Sequence, residues 1–176
     1  MIENIFNDID RAKENKAYLS ALALALTLPD MCGRQEYGEI ENGKRYKKWY
    51  NKWVYPYYEL PIPSDKLMRS ASNKTRFDGE MAYLLRCSVL HSGNTCYREN
   101  FQLTFSLLTG DAQKGYSIIC NMLGNSVSSV EICLNVVDFI DKIILGTKDY
   151  LQANDKIVES CNLKIEVLGE KQDING

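Results

Sequence analysis

Lys44-Arg-Tyr-Lys-Lys-Trp-Tyr-Asn-Lys-Trp53 is the stretch on which the fold turns. Tyr46, Trp49, Tyr50 and Trp53 stand at i, i+3, i+4 and i+7, which is one face of a helix. Lys44, Arg45, Lys47, Lys48 and Lys52 take up the rest of its circumference. A helix with four large rings on one side and five cations on the other has to bury the rings against neighbouring helices. The aromatics are therefore read as core, and the cations as a surface available to phosphate.

Outward from that helix, the N-terminal third continues the helical period. Ile5, Ile9, Tyr18, Leu22, Ala25 and Leu26 share a stripe, broken near Lys13-Glu14-Asn15-Lys16 into two helices. Alanines in Tyr18 to Leu28 favour a buried helix over a strand. Gly33, Gly38 and the Asn42-Gly43 pair predict a loop before residue 44. On the other side, Tyr55-Pro56-Tyr57-Tyr58 and Pro61-Ile62-Pro63 predict an extended loop, with Ser64-Asp65 capping a short basic turn through Lys66 and Arg69. A further helix begins near Asp78, runs through Met81, Leu84, Leu85 and Val89, and stops at Ser92-Gly93-Asn94.

Beyond residue 100 the period changes. Phe101, Leu103, Phe105 and Leu107 alternate with polar residues, as a half-buried strand does. Thr109-Gly110-Asp111 turns the chain into a second strand around Tyr116–Cys120, so a β-hairpin is expected over about 101–121. Ser128 or Ser129 is expected to cap a long helix from Val130 to about Ala153. Its main face would hold Ile132, Val136, Phe139, Ile140, Ile143 and Tyr150, and its other side Leu134, Val137 and Ile144. A helix apolar on two sides is central to a bundle or lies in a subunit interface. Leu163, Ile165 and Val167 predict a further strand at about 161–168. The expected fold is mainly α (α+β): one domain over 1–176, a helical bundle with a small antiparallel β-sheet in its C-terminal half.

Composition narrows the function classes. Of 176 residues 45% are hydrophobic and 25% charged, the mix of a globular domain. Lys and Arg number 21 against 23 Asp and Glu, a net charge of −2, which excludes a wholly basic nucleic-acid binder. The charge is unevenly spread. Residues 44–76 carry nine Lys/Arg against Glu59 and Asp65, a net of +7 that leaves −9 for the rest. Such asymmetry is what a phosphate-binding face on an acidic protein looks like. The apolar stretch at Leu22–Leu28 falls short of the ~20 residues that span a bilayer, so no membrane partner is expected. The acidic start, Met1-Ile-Glu-Asn-Ile-Phe-Asn-Asp, lacks the basic region of a signal peptide, and a cytoplasmic location is expected.

Cysteine and histidine usage bounds the chemistry. Cys32, Cys87, Cys96, Cys120, Cys133 and Cys161 include no C-x-x-C, and His91 is the lone histidine. No zinc spacing exists, and Asp138 with Asp141 has no histidine to join it, so neither metal nor cofactor is expected. The cysteines lie mostly in apolar runs and are read as reduced, buried thiols. Cys87 lies on the helix before His91 and Cys96 beyond its end, which disfavours a Cys–His nucleophile.

Tyr83-Leu-Leu-Arg-Cys-Ser-Val-Leu-His-Ser-Gly contains Arg86 and His91 with four residues between them. This resembles the R-x(4–6)-H signature of HEPN-domain ribonucleases. The run from Tyr18 to Asp30 and the segment 130–153 extend the resemblance to an uncharacterised bacterial branch of that fold. The resemblance implies a two-fold homodimer whose paired motifs face one cleft, metal-independent cleavage of RNA, a catalytic His91 and a phosphate-contacting Arg86. Cys87 departs from the family pattern, in which a polar Asn, Asp or His often follows the arginine. A toxin or phage-defence role, with a cognate antitoxin protein as partner, would go with that activity.

The chemistry of these residue types stands beside the resemblance. Cleavage by a ribose 2′-hydroxyl needs a base, an acid for the leaving oxygen and positive charge on the phosphate. His91 serves as base or acid, Arg86 offers a planar fork, and the Lys44–Lys52 surface supplies sequence-independent affinity. On an ideal helix five residues place Arg86 and His91 about 140° apart, so they converge only if the helix kinks or ends. Two readings of other classes compete. One is a non-catalytic HEPN-like module binding RNA, a nucleotide or a protein. The other is a helical dimeric interaction protein, in which His91 merely ends a helix and Arg86 pairs with a carboxylate such as Glu80 or Asp78.

Overall fold

The computed structural model describes residues 2–58, 76–92, 96–98, 101–110, 115–123 and 126–154. Helices α1 (Ile2–Glu14), α2 (Tyr18–Ala25), α3 (Leu28–Tyr37), α4 (Asn42–Trp53) and α5 (Gly79–Cys87) precede the sheet. Strands β1 (Cys96–Arg98), β2 (Phe101–Leu108), β3 (Tyr116–Leu123) and β4 (Ser126–Asn135) follow, and α6 (Val136–Ala153) runs directly on from β4. The protein is mainly α with a small sheet in the C-terminal half.

Helix α4 behaves as its spacing predicts. Tyr46, Trp49 and Tyr50 are fully buried and Trp53 half-buried. Their rings meet Tyr83 of α5 (5.5 Å from Tyr46), Tyr150 of α6 (5.8 Å from Trp49, 5.6 Å from Trp53) and Phe139 of α6 (6.5 Å from Tyr50). Approaches at these centroid distances, mostly edge-to-face, suit the ring quadrupole. Two glycines allow α5 and α6 to come this close. A Cβ on Gly79 would collide with the backbone of Lys47, and one on Gly146 would sit 2.5 Å from the Trp53 carbonyl oxygen.

The N-terminal pair α1 and α2 breaks at residues 15–17 as expected, burying Phe6, Ile9, Leu22 and Leu26. The loop expected around Gly33 and Gly38 is instead helix α3. Pro29 lies in its first turn, where a missing N–H costs nothing, and Gly38 ends it at φ 66°, a conformation open to glycine. Gly33 is buried inside the helix. Tyr55–Tyr58 is also not extended but a 3₁₀ turn, and Tyr58 is buried against Phe77, Phe139 and Tyr116. The expected turn at 64–69 and strand at 161–168 lie outside the described residues.

The sheet and the helix that follows it correct four expectations. Its order is β1-β2-β4-β3, so β2 and β3 are not hairpin partners. β4 lies between them, parallel to β2 (Leu103 opposite Val130, Phe105 opposite Ile132) and antiparallel to β3 (Ile118 opposite Ile132). The sheet is therefore mixed, not antiparallel. Residues 126–135 are strand rather than the start of a long helix. Val130, Ile132 and Leu134 alternate with Ser129, Glu131 and Cys133 and bury one side, a period of two. Asn135, not Ser128 or Ser129, caps α6 by accepting from the Asp138 N–H at 3.0 Å.

These shifts remove the second apolar side expected of residues 130–153. Leu134 belongs to the sheet's core face, Ile144 is buried, Val137 half-buried, and Leu145 is the large apolar residue that α6 exposes. No helix among the described residues is long and apolar enough to cross a membrane.

Candidate functional site

Helix α5 starts where Asp78 accepts the N–H groups of Glu80 and Met81, each at 3.1 Å. The Gly79 N–H donates to Asn51 on α4 at 2.7 Å. The helix is thus tied to α4 at its first residue and carries Tyr83, Arg86 and Cys87 along α4's N-terminal half. Arg86 Nη2 forms an ion pair with Asp30 Oδ2 of α3 at 2.5 Å, with the two side chains only 17% and 20% exposed. Its guanidinium also lies 5.8 Å from each of the Tyr46 and Tyr83 ring centres, which its charge favours. Local spacing suggests Glu80 or Asp78 as the carboxylate for Arg86. The observed one comes instead from a helix far earlier in the chain, which no local pattern announces.

The two phenols beside Arg86 are neutral. Tyr46 is fully buried, and its phenol is raised well above the usual range by desolvation, then by the Asp30 charge, with Arg86 opposing. Its hydroxyl has no hydrogen-bond partner among the described residues, and neither has Asp30 Oδ1. Tyr83 is raised by burial and by Cys87.

After Cys87 the α-helix widens into a π-helical turn, Ser88–Ser92, with the Ser88 hydroxyl donating to the Leu84 carbonyl at 3.1 Å. A π turn takes more residues to close than an α turn, so position 91 comes round nearer the line of Arg86 than an ideal helix allows. His91 is described by its backbone, on this turn.

The cations of α4 occupy its solvent side. Lys44, Lys48 and Lys52 follow one another at four-residue steps, with Arg45 and Lys47 flanking. Carboxylates answer most of them: Lys44 meets Glu41 (3.1 Å), Lys47 meets Glu80 (2.6 Å) and Lys52 meets Glu36 (2.5 Å). Arg45 donates to the Ile40 carbonyl at 3.2 Å, and Lys48 lies 4.3 Å above the Tyr37 ring with no carboxylate paired to it among the described residues. The local excess of charge seen in the sequence is partly cancelled by Glu36 of α3, Glu41 just before α4, and Glu80 of α5.

A cavity of about 510 Å³ lies elsewhere, lined by Lys13, Tyr18, Gly110, Asn135, Val137, Asp138 and Asp141. Its charges are internally satisfied. Lys13 pairs with Asp141 at 2.5 Å, and Asp138 accepts from the Gly115 N–H and Lys142, both at 2.8 Å. Among the described residues no three His, Cys, Asp or Glu side chains gather as a metal site would need.

Cys32 is buried, Cys87 and Cys133 are half-buried and Cys120 is exposed, all as free thiols, so the expectation of buried thiols holds at Cys32 and fails at Cys120. Burial, reinforced by Glu36, pushes the Cys32 thiol up to about 12. Since the thiolate is the reactive form, Cys32 should modify only on unfolding. Cys120→Ser should remove one thiol from the fast phase of a native-state thiol titration; an unchanged fast phase would contradict the exposure of β3.

Comparison with protein-family models, curated proteins and solved structures finds no match to this chain.

Proposed function

We propose that this chain is a HEPN-like RNA-binding module that holds single-stranded RNA along the exposed stripe of α4, beside the Arg86–His91 segment, without cleaving it. The observation that carries the reading is that stripe: Lys44, Lys48 and Lys52 exposed on one helix, with Arg45 and Lys47 half-exposed beside them, packed against the helix that bears Arg86. The Lys44 pair does not count against it, whereas Lys47 is held by a half-exposed Glu80 and Lys52 by a Glu36 that is only 14% exposed, so these two are less free for phosphate. Exposed pairs such as Lys44–Glu41, with side chains 76% and 67% exposed, contribute roughly 0–1 kcal/mol and exchange readily for phosphate. Arg86 in this reading positions α5 against α3 and α4, because Asp30 already holds its guanidinium. An RNA phosphate would have to displace a carboxylate to reach it.

Binding is tested by titrating a fluorescent oligoribonucleotide at several salt concentrations. Lys44→Glu with Lys48→Glu should weaken binding most at low salt. The slope of log affinity against log salt should flatten by roughly 0.7 for each phosphate that the protein no longer neutralises. An unchanged slope would leave the stripe as a solvated helix surface.

The π turn favours a second reading, a metal-independent endoribonuclease using Arg86 and His91, because such turns recur at functional sites. A toxin or defence role, and an antitoxin partner, belong to that reading alone. Cleavage of total RNA in EDTA, abolished in His91→Ala, would select it over the first.

A further inference from the structure

The sheet order leaves β3 as an edge strand, with no described element against its outer side. Edge strands in monomers are usually guarded by charge, proline or brevity. Tyr116-Ser-Ile-Ile-Cys-Asn-Met-Leu123 has no charge and no proline, and at eight residues it is not short. Ile119 is 49% exposed at its middle, and Cys120 and Asn121 are exposed beside it.

Backbone parity says which groups are open. The Asn135 N–H donates to the Gly115 carbonyl at 3.1 Å, and the Ser128 hydroxyl to the Asn121 carbonyl at 3.0 Å. Odd-numbered residues of β3 therefore point their carbonyls at β4, and Tyr116, Ile118 and Cys120 turn theirs to the free edge.

We infer that β3 pairs antiparallel with β3 of a second copy, about a two-fold axis at Ile119. In that register Ile118 and Cys120 exchange backbone hydrogen bonds with Cys120 and Ile118 of the other copy. Ile119 faces its own counterpart in a non-hydrogen-bonded pair, with Cα atoms about 4.5 Å apart. Ser117 faces Asn121 and Asn121 faces Ser117, on the same side of the sheet as Ile119. Apolar meets apolar, amide meets hydroxyl, and no like charges oppose each other. This self-complementarity is what an isologous interface requires, and it commits the edge to a copy of this chain rather than to a different protein. The joined sheet has β1 at both outer edges. Because β1 follows the Ser88–Ser92 turn closely in the chain, this dimer does not bring the two motifs into one cleft.

Sedimentation at micromolar concentration should give twice the 20.1 kDa chain mass. Ile119→Lys should give a folded monomer whose thermal melt no longer depends on protein concentration. In a Cys120→Ser background, Ile119→Cys should form a disulfide-linked dimer on mild oxidation, since about 4.5 Å falls within the Cα span of a disulfide. Ser117→Cys in the same background, facing Asn121, should not. A monomeric native protein, or a dimer indifferent to Ile119→Lys, overturns the inference.

Discussion

Gly146→Ala should destabilise the protein by about 4 kcal/mol, near the top of what one substitution does. The new methyl group would stand 2.5 Å from the Trp53 carbonyl oxygen and 2.9 Å from both its carbon and Val54 Cγ2. Backbone cannot swing aside as a long side chain can, so α6 has to withdraw from α4 and part Tyr150 from Trp49 and Trp53. The direction runs against propensity, since alanine is favoured over glycine in a helix by about 1 kcal/mol. At roughly 2–4 °C per kcal/mol for a chain of this size, the melting temperature should fall by about 8–16 °C. Gly79→Ala should behave alike at the α5–α4 crossing. A melt unchanged in both variants would mean that these helices cross farther apart.

Arg86→Ala should be the costliest change in the motif, and its cost should be structural. It strips the cation from a carboxylate that is only 20% exposed and whose Oδ1 already has no partner among the described residues. Removing one member of a fully buried pair costs about 3–5 kcal/mol, and this slightly exposed one should fall near 2–3 kcal/mol. Asp30→Ala with Arg86→Ala should cost less than the sum of the two single changes, with a coupling of about 0.5–3 kcal/mol measured by urea unfolding. An Arg86→Ala protein as stable as the parent, yet defective on RNA, would instead make Arg86 a phosphate ligand.

What the sequence discloses here depends on whether a signal is local. Helix α4 is legible because four rings at helical spacing admit one geometry, and α5 because Asp78 sits where a cap belongs. Strand β4 is not. Val130, Ile132, Leu134, Val136, Phe139 and Ile140 pass from a period of two to a helical period with no glycine or proline between, and both templates accept Val136. The usable mark is Asn135, a capping residue at the junction. Helix α3 is hidden because Gly33 and Gly38 suggest a loop, whereas one is buried within the helix and the other ends it. In the candidate site, Arg86 is legible as a residue of interest but its partner is not. Asp30 is brought to it by tertiary packing of α3, and the carboxylates that answer Lys47 and Lys52 arrive in the same way.

The parallel pairing of β2 with β4 also sets an order of assembly. β3 and β4 are joined through residues 124–125 and register from Leu123 opposite Ser126, so they zip locally. β2 has no such shortcut. Gln102 and Ser129 are separated in the chain by the whole of β3, and closing that longer span costs entropy before any pairing repays it. Helix pairs such as α1 with α2 and α3 with α4 form between neighbours in the chain. Refolding should therefore recover helical ellipticity ahead of the burial of Leu103 and Phe105, with β2 the late-docking strand.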